Sequence, residues 1–102
     1  METVLSINLI TSNPKVRNGR PCVAGTGLRV ADVVVASVFN RHTPDEITAQ
    51  YSISLGQVHA ALAYYYEHKA ELNQDVRELI ATAKLLKEQA FGKANSGNSM
   101  IS

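Results

Sequence analysis

The sequence predicts a mainly α fold: a tri-helical core containing a helix-turn-helix, with a short N-terminal β-ribbon and a C-terminal helix. Three observations carry that expectation. Two helix-start signatures follow closely on each other, Thr43-Pro44-Asp45-Glu46 and Ser54-Leu55-Gly56-Gln57. Each reads as a capping box, in which a hydroxyl and a side chain three residues on satisfy each other's backbone N–H groups. Apolar residues after Val30 recur at helical spacing. Before Val30, Pro14, Gly19, Pro21, Gly25 and Gly27 punctuate the chain too densely for a helix.

The front of the chain reads as loops and short strands. Leu5, Ile7 and Leu9 alternate with Ser6, Asn8 and Ile10, a weak period of two. Asn13-Pro14 and Asn18-Gly19 are turn signals. Pro21–Val23 and Leu28–Val30 are expected as short strands joined by a turn at Gly25-Thr26-Gly27. Such a ribbon has exposed edges and needs something to pair with.

Helices follow. Asp32–Phe39 places Val34, Val35 and Val38 at helical spacing. Its β-branched residues lower intrinsic propensity, so tertiary burial must hold it and it belongs at the centre. Thr43 caps a short second helix, with Pro44 at its first position and Ile47 and Tyr51 on one face. Ser54 caps a third, running to about His68 with Val58, Ala61, Leu62 and Tyr65 inward. Three residues, Tyr51-Ser52-Ile53, separate the two. A fourth helix is expected from Asn73 to about Phe91, with Val76, Leu79, Ile80, Ala83 and Leu86 in a narrow apolar stripe. Residues 92–102 are small, polar and Gly-rich, and predict a disordered tail. The organisation is then residues 1–72 as ribbon plus helix-turn-helix domain, 73–91 as amphipathic helix, and 92–102 as tail.

Composition narrows function. A chain of 102 residues that is 45% hydrophobic is one small globular domain. It has no Trp, so Val, Leu, Ile and Ala supply the core. Burial is limited at this size, and a homodimer or a partner adds to it. One cysteine, Cys22, excludes an intrachain disulfide and fits a reducing cytoplasm. The N-terminus lacks a basic n-region, so a secretory signal is not expected. Val33–Ala36, the longest apolar run in the middle of the chain, is far short of a membrane span.

Enzyme constellations fail. His42, His59 and His68 lack metal-ligand spacing, so no metal or cofactor is implied. Cys22 in a short strand reads as a small apolar residue rather than a nucleophile. Gly25-Thr26-Gly27 lacks the third glycine of a dinucleotide loop, since Val30 stands there. The helix pair is the informative feature. If it binds DNA, the second helix presents Ser54, Gln57 and His59 to the major groove. Yet Ser54 to Glu67 carries no Lys or Arg, and phosphate neutralisation supplies most DNA affinity. The pair therefore reads equally as a packing unit. The net charge is +1, but residues 15–41 hold Lys15, Arg17, Arg20, Arg29 and Arg41 against Asp32 alone. A DNA role must then be shared between the helix N-terminus and ribbon residues Arg17, Arg20 and Arg29. Within Tyr64-Tyr65-Tyr66, Tyr65 is the expected core member.

These residues also resemble a family. Gly19-Arg20-Pro21, Val23, Gly25-Thr26, Val30 and the Asp-Val helix are similar to the G-x-P-x-(V/I)-x-G-T-R pattern of the domain of unknown function 433 family. Thr43-Pro44-Asp45-Glu46-Ile47 resembles its S-P-E-E-I element, and Val58–Tyr65 its I-R-A-A-L-A-Y element. With His68-Lys69-Ala70-Glu71-Leu72 the resemblance covers about residues 9–80. It implies a homeodomain-like or winged-helix-like domain and an antitoxin-like role beside a PIN-like ribonuclease toxin. Gly27 replaces the arginine of G-T-R, Arg29 stands where proline is common, and His59 replaces the arginine of I-R-A-A-L. Each departure bears on DNA binding rather than on fold.

Two functions compete. The first is a non-enzymatic, DNA-binding antitoxin acting as a homodimer. Its helix stripe (Val76, Leu79, Ile80, Ala83, Leu86) docks into a PIN-like toxin, and its ribbon and helix pair hold operator DNA. The second is a homodimeric interaction module with no DNA role.

Overall fold

The structure is a computed structural model. It describes residues 2–101 except 4 and 6, and side chains as far as residue 89.

The architecture is mainly α, with the expected three-helix core, front ribbon and C-terminal helix. Strand β1 (Ile10–Thr11) pairs antiparallel with β2 (Cys22–Val23), in the register Ile10↔Val23 and Thr11↔Cys22. The ribbon partner differs from the sequence expectation. Leu28–Val30 does not form a strand; it contributes one bridge, Cys22↔Arg29, and the Val23 N–H donates to the Leu28 carbonyl. Val30 instead opens a helix, because the Asp32 carboxylate accepts the Arg29 N–H at 2.9 Å and caps the chain there. Between the strands a 3-10 turn, Arg17–Gly19, brings Arg17 and Asn18 to positive φ.

Helix α1 spans Val30–Val34 and continues as a π turn over Val35–Phe39. It is the centre of the molecule. Val30, Ala31, Val33, Val34 and Ala36 are all buried, as its poor intrinsic propensity requires. The π turn widens the last loop of helix, with the Asn40 N–H donating to Val35 O at 2.9 Å. It leaves Val38 and Phe39 exposed. Helix α2 spans Pro44–Tyr51 and α3 spans Leu55–Glu67. Both capping boxes close: Thr43 N–H to Glu46 Oε1 at 2.9 Å, and Ser54 N–H to Gln57 Oε1 at 2.7 Å. Ile47, Ile53, Val58 and Ala61 complete the core beneath α1.

Helix α4 spans Lys69–Ile101, four residues earlier than the stripe suggested. Nothing in His68–Leu72 breaks a helix, and the His68 carbonyl accepts from the Leu72 N–H at 3.1 Å. His68 alone interrupts the path between α3 and α4, at φ −132 and ψ 34. Its ring stacks on Tyr64 at 4.0 Å, and its Nδ1 lies 2.9 Å from the Tyr64 carbonyl. Leu72 is buried against the core, and the Tyr65 hydroxyl donates to Asn73 Oδ1 at 3.0 Å. Helix α4 also runs on past Phe91 through the stretch expected as a tail, to Ile101, and the side chains of that stretch lie outside the described residues.

Candidate nucleic-acid and partner interfaces

The residues predicted to meet DNA fall into three environments. Arg17 is exposed, and its Nε donates to the Gly27 carbonyl at 3.0 Å, across the mouth of the ribbon turn. Arg20 reaches the other way, to α4. Its Nε lies 3.6 Å from the Asp75 carboxylate and its Nη2 lies 4.0 Å from Glu78. Arg29 turns inward: its side chain is 15% exposed and its Nε lies 3.6 Å from Asp32 Oδ2. The sequence showed five positive charges against one acid in this stretch. The fold supplies two more acids from α4 and engages the one present. Of the three arginines, Arg17 alone has no carboxylate partner among the described residues.

On the helix pair, Ser54 and Gln57 are occupied with each other as the cap of α3. The Gln57 amide nitrogen stays available, because only its oxygen is used in the box. His59, two residues on and about 160° round the helix from Gln57, is exposed. The turn between the helices is tight: Ser52 takes the left-handed conformation at φ 56 and Ile53 tucks beneath it into the core. Ser54, Gln57 and His59 thus sit together at one end of α3, while the arginines sit on the ribbon.

Cys22 is buried, and its thiol donates to the Arg20 carbonyl at 3.3 Å. Burial pushes its pKa up, against the lowering pull of Arg17 and Arg29. A raised pKa keeps the thiol protonated and a poor nucleophile, as a strand residue of the core should be. Among the described residues no group of three His, Cys, Asp or Glu side chains is placed to hold a metal ion.

The stripe of α4 divides in two. Val76 packs against the core, and Leu79 and Ile80 are half-buried. From Ala81 to Gln89 every side chain is exposed. Leu85 and Leu86 are 55% and 60% exposed, and Ala83 lies open beside them. Leu85 was not in the predicted stripe. It lies about 100° round the helix from Leu86 and about 160° from Ala83, off the face of the stripe. Phe39 of the π turn lies near this region, with the Lys84 ammonium 5.6 Å from its ring centre. The tyrosines also resolve: Tyr64 and Tyr65 both pack against the core, and Tyr66 is 60% exposed.

The family model for a protein of unknown function, DUF433, matches residues 10–65. The chain belongs to this family. The DUF433 match runs from β1 through most of α3, so it takes in the ribbon and all three core helices. Helix α4 lies beyond the DUF433 match. No curated protein and no solved structure matches the chain. The matched stretch holds two tight turns. Gly19 and Gly25 stand at positive φ, at +80° and +75°, where a side chain would be strained. The Thr26 hydroxyl donates to the Val23 carbonyl at 2.8 Å and accepts from the Leu28 N–H at 3.0 Å, which fastens the Gly-Thr turn. Among the described residues, no helix is long and apolar enough to cross a membrane.

Proposed function

We propose that this protein is an antitoxin-like, non-enzymatic regulator of the reducing cytoplasm. Its outer α4 helix binds a PIN-like ribonuclease toxin, and its ribbon and helix-turn-helix bind operator DNA as a homodimer. One observation carries the reading. The α4 stripe continues past the core, so that Ala83 and Leu86 stand on an apolar helix face with no partner among the described residues. An amphipathic helix in that state is suited to a hydrophobic groove on another protein.

The DNA half rests on Arg17, on the free amide of Gln57 and on His59, with Arg20 recruited only if it leaves α4. A second reading, an interaction module without a DNA role, is favoured by a different observation: Arg20 and Arg29 already face carboxylates.

The test has two arms. Cutting after Leu72 would remove Asn73, Asp75 and Val76, which the core and ribbon use, so the informative truncation removes residues 81–102. The truncated chain keeps its fold by circular dichroism and fails to inhibit a ribonuclease encoded beside it, which the full chain inhibits. Inhibition by the truncated chain refutes the helix assignment. Titration of the full chain with its own upstream duplex and a scrambled duplex across a salt series decides the DNA half. Selective binding with a steep salt slope supports it. The absence of selective binding at low salt selects the module without DNA.

A further inference from the structure

We propose that the cleft between the ribbon and the Gly25-Thr26-Gly27 turn is a binding site for a phosphate group, held by Arg17. Arg17 also serves the DNA reading above, but phosphate binding in this cleft depends on neither DNA nor a toxin.

The cleft has a volume of about 420 Å³, within the range of small-ligand pockets. Its walls include Thr11 and Asn13 from the first strand and the loop after it, and Gly25 and Gly27 from the turn. No Asp or Glu is among them. Asp32, the one acid in the surrounding basic stretch, is taken up by the Arg29 side chain and N–H. Arg17 lies at the mouth. Its Nε donates to the Gly27 carbonyl at 3.0 Å, which fixes the guanidinium and leaves its Nη groups as donors. Its charge is felt in the cleft wall: burial raises the Cys22 pKa, and Arg17 pulls against that rise.

The polar groups around the cleft divide by sign. The Asn13 acceptors and the Gly27 carbonyl are in use. Asn13 Oδ1 accepts from the Lys15 N–H at 2.9 Å, the Asn13 carbonyl from the Val16 N–H at 2.8 Å, and the Gly27 carbonyl from Arg17. The Gly25 and Gly27 N–H groups, the Thr11 hydroxyl and the Asn13 amide NH2 donate to no partner among the described residues. Spare donors beside a fixed cation, with no carboxylate in the walls, suit an anion, and charge-assisted bonds to phosphate oxygens are strong. Gly27 points the same way. It is not held at positive φ, and a Cβ there would meet nothing within 4 Å. Neither conformation nor packing within the chain asks for glycine, whereas close approach of a ligand to the backbone does. The donors come from three segments, the strand and its loop, the turn and Arg17. That spread fits the tetrahedral oxygens of phosphate better than the two coplanar oxygens of a carboxylate.

Titration of the nitrogen-labelled full chain with inorganic phosphate tests this by NMR, with chloride at equal ionic strength as control. The Gly25 and Gly27 amide signals and the Arg17 Nε–H signal move saturably with phosphate and not with chloride. Arg17→Gln raises the Kd at least about tenfold, and Arg77→Gln, an exposed arginine of α4, leaves it unchanged. Gly27→Leu projects a side chain into open space and weakens binding in the same direction, while the remaining signals report that the fold is kept. Signals that drift without saturating, or that move equally with chloride, overturn the proposal. So does saturable binding that neither Arg17→Gln nor Gly27→Leu weakens. Acetate binding as tightly as phosphate overturns the choice of phosphate. If the chain's own upstream duplex moves these signals and inorganic phosphate does not, the cleft is no phosphate site and Arg17 returns to the DNA surface.

Discussion

Arg20 shows how far single residues were legible. Its charge was plain in the sequence, and its partners were not. Asp75 and Glu78 lie on another element far along the chain, and only the packing of α4 against the core brings them within 4.0 Å. Arg29 was misleading for the same reason at shorter range, because its guanidinium faces Asp32 inside the first turn of α1. The Arg20 pairs, with the arginine side chain 40% exposed, contribute little to stability, about 0–1 kcal/mol each. Their consequence is for binding. Releasing Arg20 by Asp75→Asn with Glu78→Gln is expected to raise affinity for duplex DNA and steepen the salt slope by about one phosphate contact. Arg20→Ala in the same background should return the slope to its starting value. A slope unmoved by the release removes Arg20 from the DNA surface.

At the scale of elements, the helix starts were legible because capping is local. Thr43 with Glu46 and Ser54 with Gln57 each complete their hydrogen bonds within four residues, and both boxes appear as read. The errors arose where a boundary depends on a longer path. Leu28–Val30 has strand composition, but the nearest free edge for β2 came from Ile10–Thr11, and the Asp32 cap drew Val30 into α1. The start of α4 was missed because the apolar stripe begins after the helix does. The α2 cap also makes a pH prediction. The Thr43 N–H and then its hydroxyl hold the Glu46 carboxyl below its usual range. A lowered acid contributes stability above its unfolded pKa and loses it as pH falls through the folded value. Glu46→Gln keeps the box without the titration. The difference in Tm between wild type and Glu46→Gln should therefore shrink as the medium is acidified below about pH 4. A difference constant with pH would rule the cap out as its source.

For the whole molecule, the tri-helical class was legible because periodicity and caps agree on it. The fate of the arginines was not, since it depends on surfaces meeting across the fold. The core is small and aliphatic, with Ile47, Val23, Val30, Val33, Val34 and Val58 its largest fully buried side chains. A domain of this size has a net stability of only about 5–15 kcal/mol. Ile47 is 0% exposed and packs where α2 meets the core. Ile47→Ala should cost about 2–5 kcal/mol, read as a drop in the urea midpoint. A loss under about 1 kcal/mol would mean that α2 can settle into the space left behind.

Because α4 is a single helix, its inner and outer halves share one rotational phase. Each residue turns the helix by about 100°, so the seating of Leu72 and Val76 on the core fixes the direction in which Leu86 faces. The outer face is therefore aimed by the core rather than free to choose its bearing. A partner gripping it docks at an angle already written into the packing beneath α1. Whatever binds there extends the molecule's own hydrophobic interior outward along the same line.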